Sequence, residues 1–289
     1  MGKYRNNITK EERILSRDQI PGDLHWSPPE MDFLGEIYDT VNDKYYSQRA
    51  GKKYRPRTED PHLDEGHYQG YRFAIQRLTE EGDIILDPTI GSGTAAIEAI
   101  NNGRNALGVE LEWPDLCSKN CEYQKSKNWY IIFPGNVFNI QEMIDKEKFG
   151  GKVSLIINGT PYPILGGNKT SDAPFGTTLE GYKEKESYGN LKYPKGDYEF
   201  LVRDMYKKTD PYLKKGGYFC LIIKDPIQKK EPFLLQERIL SWVKEDLGYE
   251  NYGYFIHRHI PGTLFMRSYR KRFPEVLIPS YQIGCILKK

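Results

Sequence analysis

The chain has 289 residues, enough to bury a full core as one large domain or as one domain with appendages. Apolar residues make up 38% and charged residues 28%, and the net charge is +2. These values are ordinary for a globular protein and exclude a global field that would draw it to nucleic acid, so any such attraction must come from local patches. No apolar stretch approaches the length of a bilayer span, and the polar start Met1 to Asn7 lacks an apolar signal region. Four cysteines in a chain this long point to a reducing compartment, and so to a cytoplasmic protein.

Residues 1–66 read as an N-terminal extension. Ser27 followed by Pro28 and Pro29 predicts a helix start, and Phe33, Leu34, Ile37 and Val41 give that helix an apolar stripe. The stretch Lys44 to Arg57 then carries six Lys or Arg, no acid and three Tyr. That mixture suits phosphate contact and base stacking, with Lys52, Lys53, Arg55 and Arg57 as candidates; a solvated basic loop would have the same composition. Residues 68–81 predict a helix with Phe73, Ile75 and Leu78 inward.

Next comes the most informative stretch, residues 83–112. Ile84, Ile85 and Leu86 predict a buried strand closed by Asp87-Pro88. Gly91 and Gly93 allow a tight turn and close backbone approach to a ligand. Ser92 or Thr94 can cap the following helix, Ala95 to Ile100, which Asn101-Asn102-Gly103 stops. Asn105 to Glu110 predicts a second strand ending in an acid. Strand, glycine turn, helix and carboxylate-tipped strand form one nucleoside-binding half of a doubly wound sheet. Gly91-x-Gly93-x-x-Ala96 also satisfies the loose dinucleotide fingerprint, whereas a P-loop is excluded because no Gly-Lys-Ser/Thr follows. A dehydrogenase would further need a nicotinamide site, for which the sequence offers no candidate.

Further helices and strands alternate downstream. Trp113 to Lys125 predicts a helix, and its Cys117 and Cys121 lack the second Cys/His pair that a zinc site needs; no metal site is expected. Trp129 to Phe133 and Val153 to Asn158 predict strands, the second running into Gly159-Thr160-Pro161-Tyr162-Pro163. Residues 163–196 have no periodicity, and a loop that long in a compact domain is usually functional. Asp197 to Leu213 predicts a helix, Tyr218 to Ile223 a strand, and Phe233 to Leu247 a helix opened by Pro232. Tyr252 to His259 and Tyr281 to Leu287 predict a closing antiparallel pair. Between them Arg267, Arg270, Lys271 and Arg272 cluster around one Tyr as candidate phosphate contacts, or as a solvated hairpin loop.

Two motifs carry a resemblance. Asp87-Pro88-x-x-Gly91-Ser92-Gly93-Thr94 resembles the cofactor motif of the S-adenosylmethionine-dependent amino-methyltransferases, which methylate the exocyclic amine of cytosine (N4) or adenine (N6). Thr160-Pro161-Tyr162 resembles the end of their catalytic motif, Asp, Asn or Ser followed by Pro-Pro-Tyr. The resemblance covers residues 67–289. It implies a mostly parallel, seven-stranded, Rossmann-like methyltransferase sheet with an antiparallel C-terminal strand, and S-adenosylmethionine as cofactor. Asp87, Thr89, Gly91, Gly93 and Thr94 would line the cofactor, Glu110 would take its ribose and Asn136 its adenine. Tyr162 would hold an extruded base, and residues 163–196 would cover it.

The chemistry explains these residue types. An exocyclic amine is a poor nucleophile because its lone pair is delocalised into the ring. Polar acceptors must take its protons while an aromatic face holds the base beside the methyl donor. Here the polar first position is Gly159, which has no side-chain acceptor. Asn158, the Thr160 hydroxyl or backbone carbonyls would have to substitute, or activity is lost. The expected substrate is DNA rather than RNA. Sequence reading would fall to the N-terminal basic stretch, the 163–196 loop or a partner subunit, and the expected partner is a specificity subunit or a second copy in a homodimer. The rivals are an RNA base methyltransferase and a catalytically silent nucleic-acid-binding subunit.

Overall fold

Ala106, Ile85, Leu155 and Cys220 lie in one buried apolar cluster, and their chain neighbours Leu107, Leu86, Ile156 and Leu221 lie in another. That alternation is the two-residue period of strands covered on both faces. In the computed structural model the described residues are 34–39, 44–49, 68–161, 164–165, 192–193, 198–223, 227–228, 231–232, 234–258 and 281–289.

Their elements run β1 (Leu34–Asp39), β2 (Lys44–Arg49), α1 (Tyr68–Leu78), β3 (Ile84–Asp87), α2 (Thr94–Asn101), β4 (Asn105–Glu110), α3 (Pro114–Tyr123), β5 (Tyr130–Pro134), α4 (Ile140–Met143), α5 (Lys146–Phe149) and β6 (Val153–Asn158). After these come β7 (Ile164–Leu165), β8 (Lys192–Tyr193), α6 (Tyr198–Thr209), β9 (Leu213–Ile223), β10 (Ile227–Gln228), β11 (Glu231–Pro232), α7 (Leu235–Leu247), β12 (Glu250–Arg258) and β13 (Tyr281–Lys288).

The main sheet has the order β2-β1-β12-β13-β9-β6-β3-β4-β5. Strands β5, β4, β3, β6 and β9 pair in parallel, and β13 enters antiparallel between β9 and β12. The seven strands from β12 to β5 are the expected doubly wound sheet with its antiparallel C-terminal strand. Helices α1, α2 and α3 supply the cluster on one face, and α4 to α7 contribute to the cluster on the other. Strand β6 is buried at every position, as a central parallel strand must be. Sequential strands leave β3 in one direction as β4 and β5, and in the other as β6 and β9. The switch point therefore lies between the carboxyl ends of β3 and β6, where ligands bind in open α/β sheets.

Several expectations need correction. The helix expected around Phe33 to Val41 is instead strand β1, paired with β2 on one side and with β12 on the other. Leu34 and Ile37 have helical spacing, but the open edge of β12 offers a ladder that outweighs so weak a local preference. The sheet thus gains a hairpin and reaches nine strands, and Lys44 to Arg49 of the expected basic loop are strand β2. Neither Ser92 nor Thr94 caps α2: Gly93, left-handed at φ 99°, occupies that position with no side-chain cap bond. Helix α6 ends at Thr209, so Leu213 already belongs to β9. Helix α7 begins at Leu235, and Pro232 lies in the short strand β11. Within 163–196, β7 and β8 form a two-residue parallel pair.

One contact fixes the seam between the parallel and antiparallel parts. Gly284 of β13 sits opposite Phe255 of β12 and Ile222 of β9. A Cβ there would lie 2.1 Å from two ring carbons of Phe255. That ring is fully buried and meets Phe73 of α1 edge-on at 5.0 Å. Gly284→Ala must push a packed ring aside, at an expected cost of about 2–3 kcal/mol, read from the denaturant midpoint.

Candidate active site

Asp87 ends β3 and Asn158 ends β6, next to each other at the switch point. Asn158 is fully buried and uses every hydrogen-bonding position of its carboxamide. Its Nδ2 donates to Asp87 Oδ1 at 3.0 Å and to Thr89 Oγ1 at 2.7 Å. Its Oδ1 accepts from Thr160 Oγ1 at 2.6 Å and from the Tyr206 hydroxyl at 2.7 Å. The Thr160 and Tyr206 hydroxyls also meet each other, closing a triangle. Tyr198 donates to the Pro161 carbonyl at 2.8 Å. Helix α6 therefore carries two tyrosines that hold the turn after β6 from below.

The glycine turn is held from the other side. Glu110, at the tip of β4, accepts the Gly91 amide at 2.8 Å through Oε2, and the Glu112 and Trp113 amides at 3.0 and 3.1 Å through Oε1. Gly91 and Gly93 both adopt positive φ, 58° and 99°, which only glycine takes without strain. The Gly91 and Gly93 amides bond within the protein, to Glu110 and to the Ile90 carbonyl. Asn120 of α3 anchors the Ser92 carbonyl at 2.9 Å.

The electrostatics follow from burial. Asp87 and Glu110 are 3% and 7% exposed. Burial pushes the Asp87 carboxyl up to about 7, against the pull of the Asn158 and Thr89 hydrogen bonds and with a further push from Glu110. Burial also raises Glu110, while its three backbone amides pull it back. Neither carboxyl is paired with a Lys or Arg among the described residues. With no cation on either among the described residues, the two buried acids suit a cationic nucleoside, and Glu110 retains an acceptor direction for a ribose hydroxyl.

The structure thus brings together Asp87, Thr89, Asn158 and Thr160, and separately Glu110 and Gly91. Thr94 is buried in the first turn of α2. Asn136 lies at the tip of the next parallel strand, and its side-chain oxygen caps the short turn after β5 through the Phe138 amide at 3.0 Å. Asn158 and Thr160 face inward, whereas Gly159 and Pro161 are partly exposed. Tyr162, Lys52, Lys53, Arg55, Arg57, Arg267, Arg270, Lys271 and Arg272 lie outside the described residues. Tyr198, Tyr206 and Asn120 escaped the sequence reading: with 22 tyrosines in the chain, nothing local marks the two that matter. Among the described residues no group of three or more His, Cys, Asp and Glu could hold a metal, and no helix is long and apolar enough to cross a membrane.

Residues 22–115 match the model of a DNA methylase family that joins N6 and N4 methyltransferases. That stretch is what this chain shares with the family. The match includes the glycine turn and Glu110 and ends before the turn after β6. The cofactor of DNA amino-methyltransferases is S-adenosylmethionine. A curated relative, the Type II methyltransferase M.BglI of Bacillus subtilis, is 44% identical over 89 residues, 29% of this chain. The matched stretch spans only 24% of that relative. Among solved structures, a geranyl diphosphate C-methyltransferase of Streptomyces coelicolor A3(2) overlaps at a TM-score of 0.44 with 13% identity, covering 75% of this chain and 76% of that one. A methyltransferase of Pyrococcus furiosus overlaps at 0.40 with 15% identity, covering 76% and 80%. Overlaps that loose add nothing to the strand order, on which the fold rests.

Proposed function

We propose that this chain transfers a methyl group from S-adenosylmethionine to the exocyclic amine of a base in DNA, N4 of cytosine or N6 of adenine. The base would be turned out of the duplex to the Thr160-Pro161-Tyr162 turn. The observation that carries this reading is the Asn158–Asp87 joint. It locks the turn after β6 against the turn after β3, so a ligand on Asp87 and Glu110 and a base beside Gly159 share one site.

Bound there, S-adenosylmethionine supplies an electrophilic methyl on a cationic sulfur. Asp87 and Glu110 would favour that charge, and Glu110 would accept from the ribose. Thr89, Gly91, Gly93 and Thr94 would shape the pocket, and Asn136 would stand near the adenine. At the turn after β6, backbone carbonyls accept amine protons, and Tyr162 would stack on the base. The amine lone pair would form the new N–CH3 bond as the S–CH3 pair stayed with the leaving sulfur, and the displaced amine proton would leave to water. Asp87, buried at the glycine turn, disfavours a dinucleotide, whose anionic pyrophosphate would face it; Glu110 does not discriminate, because an acid at that strand tip also takes the ribose of a dinucleotide.

Lys52, Lys53, Arg55 and Arg57, with Arg267, Arg270, Lys271 and Arg272, would contact phosphates and position the duplex without reading it. The Type II methyltransferase name of the curated relative supports a place in restriction–modification; a specificity subunit or a second copy would be the partner. The test is transfer of labelled methyl from S-adenosylmethionine to unmethylated DNA, with total RNA alongside and products digested to nucleosides. Label in N4-methylcytosine or N6-methyladenine of DNA is expected. Label confined to RNA would move the reading to an RNA methyltransferase. Cofactor binding without transfer would make the chain a silent subunit.

A further inference from the structure

At the turn after β6 the side chains of Asn158 and Thr160 are fully committed inside the protein, and Tyr198 occupies the Pro161 carbonyl. Gly159 is the partly exposed position between two buried ones, and it has no side chain. The space its side chain would enter is already filled. A Cβ on Gly159 would lie 2.6 Å from the Tyr71 hydroxyl oxygen, 3.9 Å from the ring carbon that bears it, and 3.4 Å from the Ile222 carbonyl oxygen. Tyr71 belongs to α1, with its ring in the core cluster between that helix and the sheet. Its hydroxyl therefore arrives at the turn from a different element, within a bond length or two of where a serine hydroxyl at position 159 would stand.

Resting on the amino-methylation reading above, we infer that the Tyr71 hydroxyl is the side-chain acceptor that Gly159 lacks. A phenol oxygen accepts a hydrogen bond while donating its own proton elsewhere. It thus takes one N–H of the substrate amine, and a backbone carbonyl of the turn takes the other. Held this way, the amine is turned so that its lone pair leaves conjugation with the ring and points at the methyl group. Glycine at 159 is then the condition for a rigid, ring-borne hydroxyl to reach the site, because any side chain there collides with it.

The distances define a swap. Tyr71→Phe removes the oxygen that lies 2.6 Å from the Cβ position and leaves a ring carbon 3.9 Å away, ordinary contact distance. Gly159→Ser in that background places a new hydroxyl in the space just vacated. Tyr71→Phe is expected to lower kcat about 10- to 100-fold, the loss of one polar contact in the transition state, with S-adenosylmethionine affinity by calorimetry unchanged. Gly159→Ser alone should lower both the melting temperature and kcat, through the collision with Tyr71. The double variant should recover the melting temperature and turn over faster than Tyr71→Phe. Tyr71→Phe with wild-type kcat would overturn the inference. So would a double variant that melts normally but stays as slow as Tyr71→Phe, which would make Tyr71 a space-filling residue. A loss of cofactor affinity matching the loss of kcat would also overturn it. Wild-type protein that labels no DNA amine would instead strike the underlying reading, a result seen before any variant is made.

Discussion

Asn158→Ala should destabilise the protein by about 3–5 kcal/mol and abolish cofactor binding, measured by denaturant unfolding and by calorimetric titration with S-adenosylmethionine. The size follows from the number of groups left behind. The Thr160 and Tyr206 hydroxyls lose an acceptor, and Asp87 and Thr89 lose a donor; all but the partly exposed Thr89 are buried. The Tyr206 phenol is pushed far above its ordinary range by burial, so it cannot relieve the loss by ionising. The binding defect follows because Asp87 and Thr89 line the proposed cofactor site. Asn158→Asp separates geometry from charge. It keeps the shape but sets a carboxyl 3.0 Å from Asp87 Oδ1. Two acids that close share one proton, so the aspartate variant should be severely unstable at pH 8 and recover as the pH falls toward 5. An alanine variant leaves one buried acid there instead of two, so its recovery over the same range should be much smaller.

The sequence made one half of this site legible and hid the other for definite reasons. Asp87 and Glu110 are acids that end short apolar runs, and β4 and β6 have the boundaries expected from Asn105 to Glu110 and Val153 to Asn158. Gly159 was visible as a departure from a motif. Its physical companion was not, because Tyr71 reaches it from a helix 88 positions earlier, and no local periodicity records that approach. The same blindness applies to Asn158. As a polar residue beside the proposed catalytic turn it reads as a candidate acceptor for substrate. Only the placement of Tyr206, Thr160 and Asp87 shows its carboxamide facing inward. The β1–β2 hairpin was misread because Leu34 and Ile37 are spaced three apart, while the strand that claims β1 lies near the other end of the chain.

Asp87 leads to the second large effect, a pH dependence of cofactor affinity. Its carboxyl sits at about 7 in the free protein, against 3.8 for an ordinary aspartate, chiefly because burial penalises its charge. Since the folded value is the higher one, the folded state holds more protons than the unfolded state between those values. Stability from this group therefore falls as pH rises from about 4 to about 7, then levels. A cationic cofactor beside Asp87 reverses the preference, since it stabilises the carboxylate. Binding below pH 7 must then expel a proton, and affinity should fall as the solution becomes more acid. If the bound form is fully ionised, the loss between pH 7.5 and pH 5.5 is about 25-fold. Titrations in buffers of different ionisation enthalpy should show close to one proton released at pH 6 and almost none at pH 8. Asp87→Asn keeps the acceptor for Asn158 and Thr89 but cannot ionise. It should bind S-adenosylmethionine more weakly at pH 8 and lose most of the pH dependence, keeping only the share that Glu110 contributes. Equal affinity of the wild type at pH 5.5 and 7.5 would mean that Asp87 stays neutral when the site is filled. Its burial would then serve only the joint with Asn158, and the cofactor's charge would have to be met by Glu110 alone.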